Sequence, residues 1–318
     1  MEKIFLTEHI HDDAVAYLKE HFEVVQGTST EVSEIIRQAQ GCAGILIRSA
    51  KITAEIMDAI PTLKVIAKHG MGVDNIDVAH ATEKGILVVN APYSNMNAVA
   101  EHIVTLLLAL SKRIVRMDRL TREGQFAQRN TYKTTELKNA TVGIIGMGKI
   151  SRLVVKKLSG FDMNIIASDP FVKQEDVSDL PVTMTSAEDV YRGSDFVIVH
   201  TSLFPSTYHL VGKNQFEMMK PTAYIINAAR GPIIDEVALI EALKSGEIAG
   251  AGLDVFEQEP PAPDNPLFAM DNVIVSPHNA ALSDGALRAM AMDSALGITE
   301  YLTGKSVSFP VNPEILDK

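Results

Sequence analysis

Cysteine is almost absent: the 318 residues hold one, Cys42. A lone thiol excludes an internal disulfide framework and a Cys-rich zinc site, fits a reducing cytoplasm, and reads most simply as a small buried hydrophobe. Long apolar runs are missing too. Leu106-Leu-Leu-Ala-Leu110, in a helical stretch, is far too short to span a bilayer. The N-terminus opens on Lys3-Ile-Phe-Leu-Thr7, a strand pattern without the apolar core of a signal peptide. Positive charge is in deficit, with 29 Lys and Arg against 40 Asp and Glu for a net charge of -11. That argues against a general nucleic-acid surface and still allows a local cationic pocket. There is no short repeat and no low-complexity linker. The expectation is a soluble, cytoplasmic protein without nucleic-acid or membrane partners.

What is present is a hydrophobic content of 46%, enough for two domains with sizeable cores. Short strands alternate with amphipathic helices: Lys3–Thr7, Glu23–Val25, Gly44–Ile47, Val65–Ala67 and Leu87–Asn90 read as strands, and Asp13–His21 and Ala54–Ala59 as helices. Ala98–Leu120 reads as one long helix, N-capped by Asn97 with Glu101 in its first turn, long enough to bridge two domains. Glu8, His9, His11, Asp12 and Asp13 cluster after the first strand, but nothing fixes a ligand geometry there. A solvated loop and helix start is the reading, and no metal is expected.

Thr141-Val-Gly-Ile-Ile-Gly-Met-Gly-Lys-Ile-Ser151 runs from an apolar strand through Gly146-x-Gly148 into a helical pattern. Such a turn brings backbone N–H groups and a helix N-terminus up to a pyrophosphate with no Cβ in the way. A second strand, Asn164–Ser168, ends at Asp169, whose carboxylate suits the two hydroxyls of an adenosine ribose and repels a 2′-phosphate. NAD is therefore favoured over NADP. Ser151 stands where this fingerprint prefers Gly or Ala, a tolerable departure for a small side chain. Alternation resumes at Phe196–His200, Ala223–Asn227, Gly250–Asp254 and Val273–Val275, which makes six strands in this half. A last helix, Asp284–Leu302, is inferred to return the chain to the first domain.

In a doubly wound sheet, residues just past the strand ends converge on one cleft. Arg230, Glu259 and His278 occupy three such places. Singly, each has a plain reading as a surface arginine, a turn carboxylate or a loop histidine. Together they are the parts needed to oxidise a 2-hydroxy acid. An arginine binds the carboxylate in a fork, an imidazole takes the hydroxyl proton, and a carboxylate holds the other ring nitrogen and fixes its tautomer.

These residues resemble the D-isomer-specific 2-hydroxyacid dehydrogenases, most closely their D-3-phosphoglycerate dehydrogenase branch. The likeness runs through Gly70-Met-Gly-Val-Asp-Asn-Ile-Asp77, Asn90-Ala-Pro92 with Val99-Ala-Glu-His102, and Val142–Ile150. It continues in His200-Thr-Ser-Leu203, Asn227-Ala-Ala-Arg-Gly231, Gly252–Glu257 with Glu259-Pro260, and Ser276-Pro-His278. It implies catalysis by Arg230, Glu259 and His278, and a carboxylate-binding turn of Gly70, Met71, Gly72 and Val73. It further implies contacts to NAD from Lys149, Ile150, Asp169, Thr201, Ala228 and Asp254, beside Gly146, Gly148, Arg230 and His278, and a homodimer. Arg48 and Lys68 resemble cationic positions that hold a phosphate.

The chain departs from the family pattern at Ser151, at Ser202 where Pro is usual, at Ala98 where Ser is common, and at Asn279-Ala-Ala281 where Gly is frequent. The fold expected is α/β, a Rossmann NAD-binding domain (98–283) inserted into a flavodoxin-like substrate-binding domain (1–97 and 284–318). The chain stops soon after its last helix, so feedback through a C-terminal regulatory domain is not expected. The activity expected is NAD-dependent interconversion of D-2-hydroxy acids and 2-keto acids. 3-Phosphoglycerate comes first among substrates and glyoxylate or hydroxypyruvate next; an NAD-sensing corepressor is the alternative of another class.

Overall fold

Gly44-Ile-Leu-Ile47 and Tyr224-Ile-Ile-Asn227 are buried along their whole length. Continuous apolar runs of this kind belong to parallel strands covered on both faces, and the computed structural model, which describes residues 1–317, places each at the heart of a parallel sheet. The chain divides into two units, one of residues 1–95 with those from 282 onward, the other Met96–Ala281.

The first unit carries β1 (Lys3–Leu6), α1 (Asp12–His21), β2 (Glu23–Gln26), α2 (Val32–Gln38), β3 (Gly44–Ile47), α3 (Ala54–Ala59), β4 (Val65–Lys68), α4 (Val78–Glu83) and β5 (Leu87–Val89). Its strands are parallel in the order β2-β1-β3-β4-β5, that of flavodoxin-like sheets. The last helix of the chain, Asp284–Leu302, packs Ala291, Ala295 and Ile298 on this sheet beside Ala14 and Leu18 of α1. His11 caps α1 by accepting from the Asp13 N–H, and Asp12 and Asp13 lie in the first turn, where the positive end of the helix favours them.

The second unit begins with α5 (Met96–Lys112) and α6 (Ile114–Arg122). It continues through β6 (Thr141–Ile145), α7 (Lys149–Leu158), β7 (Asn164–Ser168), β8 (Thr183–Met184), α8 (Ala187–Gly193), β9 (Phe196–Val199), α9 (Lys213–Met218), β10 (Tyr224–Asn227), α10 (Glu236–Ser245), β11 (Gly250–Leu253) and β12 (Val273–Val275); α11 is the returning helix, Asp284–Leu302. The strand order is β12-β11-β10-β9-β6-β7-β8, all parallel. Read from β6 outward this is the Rossmann order with one further strand, and it reverses between β6 and β9. Glycines thin the sheet where α5 crosses it: a Cβ at Gly252 would stand 3.1 Å from Leu110 and 3.3 Å from Leu106.

Three readings of the sequence need correction. The sheet has seven strands rather than six, because β8 is two residues long and too short to leave a pattern. Its outer edge is clasped by Gln174, whose side chain donates to the Val182 carbonyl and accepts from the Met184 N–H. The stretch Ala98–Leu120 is two helices, broken at Arg113, which takes a left-handed φ of 49° that no α-helix runs through. Its start is Met96, so Asn97 lies inside the helix and donates to Glu101 one turn on, and the helix belongs wholly to the second unit. Among the described residues no helix is long and apolar enough to cross a membrane.

Candidate active site

The β6–α7 turn is built from glycines for two different reasons. Gly146 has φ +94°, and a Cβ there would lie 2.4 Å from the His200 carbonyl oxygen, so backbone packing demands glycine. Gly148 is the N-cap of α7 and a Cβ on it would meet nothing within 4 Å, so the space before the helix N-terminus is open. Lys149 and Ile150 form the first helical positions. Ser151 is buried and donates to the Gly146 carbonyl at 2.7 Å. The hydroxyl thus ties down the turn.

Asp169, at the end of β7, accepts from the Met147 N–H and the Phe171 N–H, both at 2.8 Å. Its carboxylate is therefore pinned against the glycine turn. The expected cofactor positions follow the sheet from strand to strand: Asp169 after β7, Gly146 to Ile150 after β6, Thr201 after β9, Ala228 after β10, Asp254 after β11 and His278 after β12. Five inter-strand spacings make a row about 24 Å long across the carboxyl ends, spanning the order reversal where doubly wound sheets take dinucleotides. The open N-cap, the pinned acid and this row fit an extended dinucleotide.

Arg230, Glu259 and His278 come from the ends of β10, β11 and β12, which are neighbours in the sheet. Glu259 and His278 meet directly, Oε2 to Nδ1 at 2.7 Å. A carboxylate only accepts, so Nδ1 carries the proton and Nε2 is the nitrogen left for chemistry. Burial pushes the Glu259 carboxyl up. The hydrogen bond and charge of His278, the Phe256 N–H and the charge of Arg230 outweigh it and hold the group below its ordinary value. Arg230 is oriented by its own strand end: Nη1 donates to the Ala229 carbonyl, and Asn227 donates to the Arg230 carbonyl. Gly231 brings this loop against the next one. A Cβ there would lie 1.8 Å from the Phe256 carbonyl oxygen, so the residue after Arg230 has to be glycine for the β10 and β11 loops to touch.

Asp254 is fully buried. Its oxygens accept from Ser276 Oγ and from the Asn279 and Ala280 N–H groups, so its carboxylate is built into the loop that carries His278.

In the first unit, the Gly70–Val73 turn is held by its carbonyls. That of Gly70 accepts from the Ala91 N–H, that of Met71 from Asn90 Nδ2 and that of Val73 from the Ile76 N–H. In a trans peptide the C=O and the following N–H point in opposite directions, so this pinning turns the Met71 and Gly72 N–H groups away from the Ala91 and Asn90 donors. The two expected phosphate cations differ. Lys68 donates to the Arg48 carbonyl and to Asn75 Oδ1, which binds it into the turn. Arg48 donates Nη1 to the His9 carbonyl.

Glu8, read as part of a solvated loop, instead accepts from the Arg48, Ser49 and Ala50 N–H groups and from the Thr7 and Ser49 hydroxyls. Partial burial opposes its charge, but the Ser49, Arg48 and Thr7 donors prevail and bring its carboxyl down to about 2. Residue order alone does not reveal this, because Arg48, Ser49 and Ala50 lie 40 to 42 residues away.

Compared with known proteins, residues 104–280 match the family model for the NAD-binding domain of D-isomer specific 2-hydroxyacid dehydrogenases. The chain is 40% identical to a D-3-phosphoglycerate dehydrogenase of Archaeoglobus fulgidus, covering 98% of this chain and 59% of that protein. It therefore spans about six tenths of the length of that relative. It is also 40% identical to a glyoxylate reductase of Thermofilum pendens, with 99% and 95% of the two chains covered. Among solved structures, an NADPH-dependent glyoxylate/hydroxypyruvate reductase of Sinorhizobium meliloti superposes with a TM-score of 0.86 at 28% identity, covering 98% of this chain and 96% of that one. With the Rossmann strand order, the glycine turn and the strand-end residues in place, the chain belongs to the D-isomer-specific 2-hydroxyacid dehydrogenase family.

Proposed function

We propose that this chain interconverts D-2-hydroxy acids and 2-keto acids with NAD. The observation that carries the reading is the 2.7 Å contact between Glu259 and His278 Nδ1, one strand away from Arg230 on a dinucleotide-binding sheet. Gly146, Gly148, Lys149, Ile150 and Asp169 would hold the dinucleotide, which supplies the two-electron acceptor or donor when bound. Arg230 receives the substrate carboxylate as a fork, and its fixed backbone sets the direction of approach. His278 Nε2 takes the hydroxyl proton in oxidation and returns it to the carbonyl oxygen in reduction. Glu259 holds the imidazole in the tautomer that makes this possible and stabilises the imidazolium that follows. Asp169, whose carboxylate repels a 2′-phosphate, supports NAD over NADP.

The finer reading is 3-phosphoglycerate and its keto acid, supported by Arg48 and by relatives of that name. A second reading, glyoxylate or hydroxypyruvate, draws on the same loop. Lys68 is bound into its own turn and the Glu8 carboxylate lies against Arg48–Ala50, so a phosphate would rest on the Arg48 guanidinium beside a negative charge. Steady-state reduction of phosphohydroxypyruvate, hydroxypyruvate and glyoxylate with NADH distinguishes them. If phosphate is read by Arg48, Arg48→Ala lowers kcat/KM for the phosphorylated acid about 10- to 100-fold, the worth of a charge-assisted contact, and leaves glyoxylate unchanged. Equal effects on all three exclude the phosphorylated reading. Failure of every acid with both dinucleotides overturns the enzymatic one.

A further inference from the structure

His102 is a histidine in an apolar stripe. On α5 it lies one turn from Val99 and from Leu106, both buried, and the helix packs this side on the sheet together with Ile274 of β12. Its Nε2 is 2.9 Å from Ser276 Oγ, and Ser276 Oγ is 2.6 Å from Asp254 Oδ1. A hydroxyl has one proton and a carboxylate can only accept, so the serine proton goes to Asp254 Oδ1, which also accepts the Asn279 N–H. The serine oxygen is then the acceptor, and His102 presents Nε2–H to it. The chain of donors runs from His102 to Ser276 to Asp254, and the same Nε2 also lies 3.5 Å from Asp254 Oδ1.

Asp254 grips the backbone on both sides of His278. The His278 N–H donates to its carbonyl at 2.8 Å, and the Asn279 and Ala280 N–H groups donate to its two carboxylate oxygens, each at 2.9 Å. Between these anchors His278 takes a left-handed φ of 50°. A residue with a Cβ stays in that conformation only when its surroundings over-determine it. The over-determining group is a fully buried carboxylate. Its orientation is set by the donors around it, of which the Ser276 hydroxyl is the one free to rotate.

We propose that His102 is a positioning residue: through Ser276 it holds the Asp254 carboxylate in the orientation that fixes the backbone around His278, and so aims the imidazole. This rests on the reading of His278 as the proton carrier. All the residues lie in the second unit. His102 touches neither substrate nor the reacting atoms, and its effect is on where the His278 ring points.

The test compares His102→Ala, His102→Gln and His278→Ala in the whole chain, by steady-state kinetics with NADH and the best 2-keto acid and by NMR of ¹⁵N-labelled histidine rings. Misaiming a reacting group costs turnover rather than binding, so His102→Ala is expected to lower kcat about 10-fold with KM within about twofold, and to shift the His278 ring resonances. His102→Gln, whose amide N–H can reach Ser276, is expected to recover most of the turnover and the wild-type resonances. Wild-type kcat in His102→Ala overturns the proposal. So do equal losses in the Ala and Gln variants with His278 resonances unmoved, which would mark a packing role. If His102→Ala does not fold, the Gln variant decides: impaired turnover with His278 resonances unmoved contradicts the proposal, and turnover that follows the position of the His278 resonances supports it. Wild-type turnover in His278→Ala removes the functional reading itself, and the role of His102 with it.

Discussion

At the scale of single residues, the proposed function separates groups that would react from groups that hold them. His278 Nε2 is the atom through which the proposed proton transfer passes. His278→Ala is expected to lower kcat about 10²- to 10⁴-fold, the usual worth of a general acid–base, while NADH binding by fluorescence stays intact. Ser151 is of the other kind. Its buried hydroxyl satisfies the Gly146 carbonyl, so Ser151→Ala is expected to cost about 1 kcal/mol of stability, one hydrogen bond, by thermal or denaturant unfolding. NADH affinity is expected to change less than about twofold, since it is the turn and not the ligand that the serine meets. A tenfold loss of affinity without loss of stability would give Ser151 a direct cofactor contact instead.

Among the elements, adjacency of strand ends does what no single loop can. The β10 and β11 loops touch because Gly231 has no side chain. Gly231→Ala would place a methyl 1.8 Å from the Phe256 carbonyl oxygen, and one loop must retreat from the other. An ångström of misplacement at a reacting group costs about 100-fold, so kcat is expected to fall by at least that much, with folding checked by circular dichroism. The elements are legible in the sequence wherever an apolar run ends on a turn signal, as at Thr141–Ile145 with its glycines or at Asp284–Leu302 behind the Ser283 cap. They are not legible where the pattern runs on through a break. Apolar residues continue from Leu110 to Ile114 in step with a helix, although Arg113 turns left-handed between them. The two-residue β8 has no pattern to read at all.

At the scale of the whole molecule, acid should loosen both units. Burial first, and the charge of Arg48 next, bring His69 down to about 4, and its Nε2 contacts the Leu287 carbonyl. Burial and the charge of Arg230 do the same to His200, also to about 4. Both values lie below the ordinary 6.5, so the unfolded chain binds these protons first as the pH falls. Stability from them is complete above about 6.5, declines as pH drops toward 4, and is worth at most about 3 kcal/mol per histidine. Melting temperature is expected to fall between pH 7 and pH 5 for the wild type, with a shallower fall in His69→Gln; a flat profile would contradict it.

The placement of the proposed site residues at neighbouring strand ends is legible in the sequence, because a parallel sheet sends those positions to one edge. Its supports are not. Glu8 with Arg48–Ala50, Lys68 with Asn75, and His102 with Ser276 and Asp254 are contacts between distant segments, and spacing along the chain contains no trace of them.

Glu8 also changes what a ligand would encounter. An arginine-bearing loop with open amides is ordinarily ordered by the anion that arrives, at about 1–2 kcal/mol per residue immobilised. Here the carboxylate has already settled that loop when the first unit folds. An anion reaching the Arg48 guanidinium would meet a preorganised surface and lose no affinity to ordering it, so recognition on that side would depend on fit to the side chain and hardly at all on loop closure.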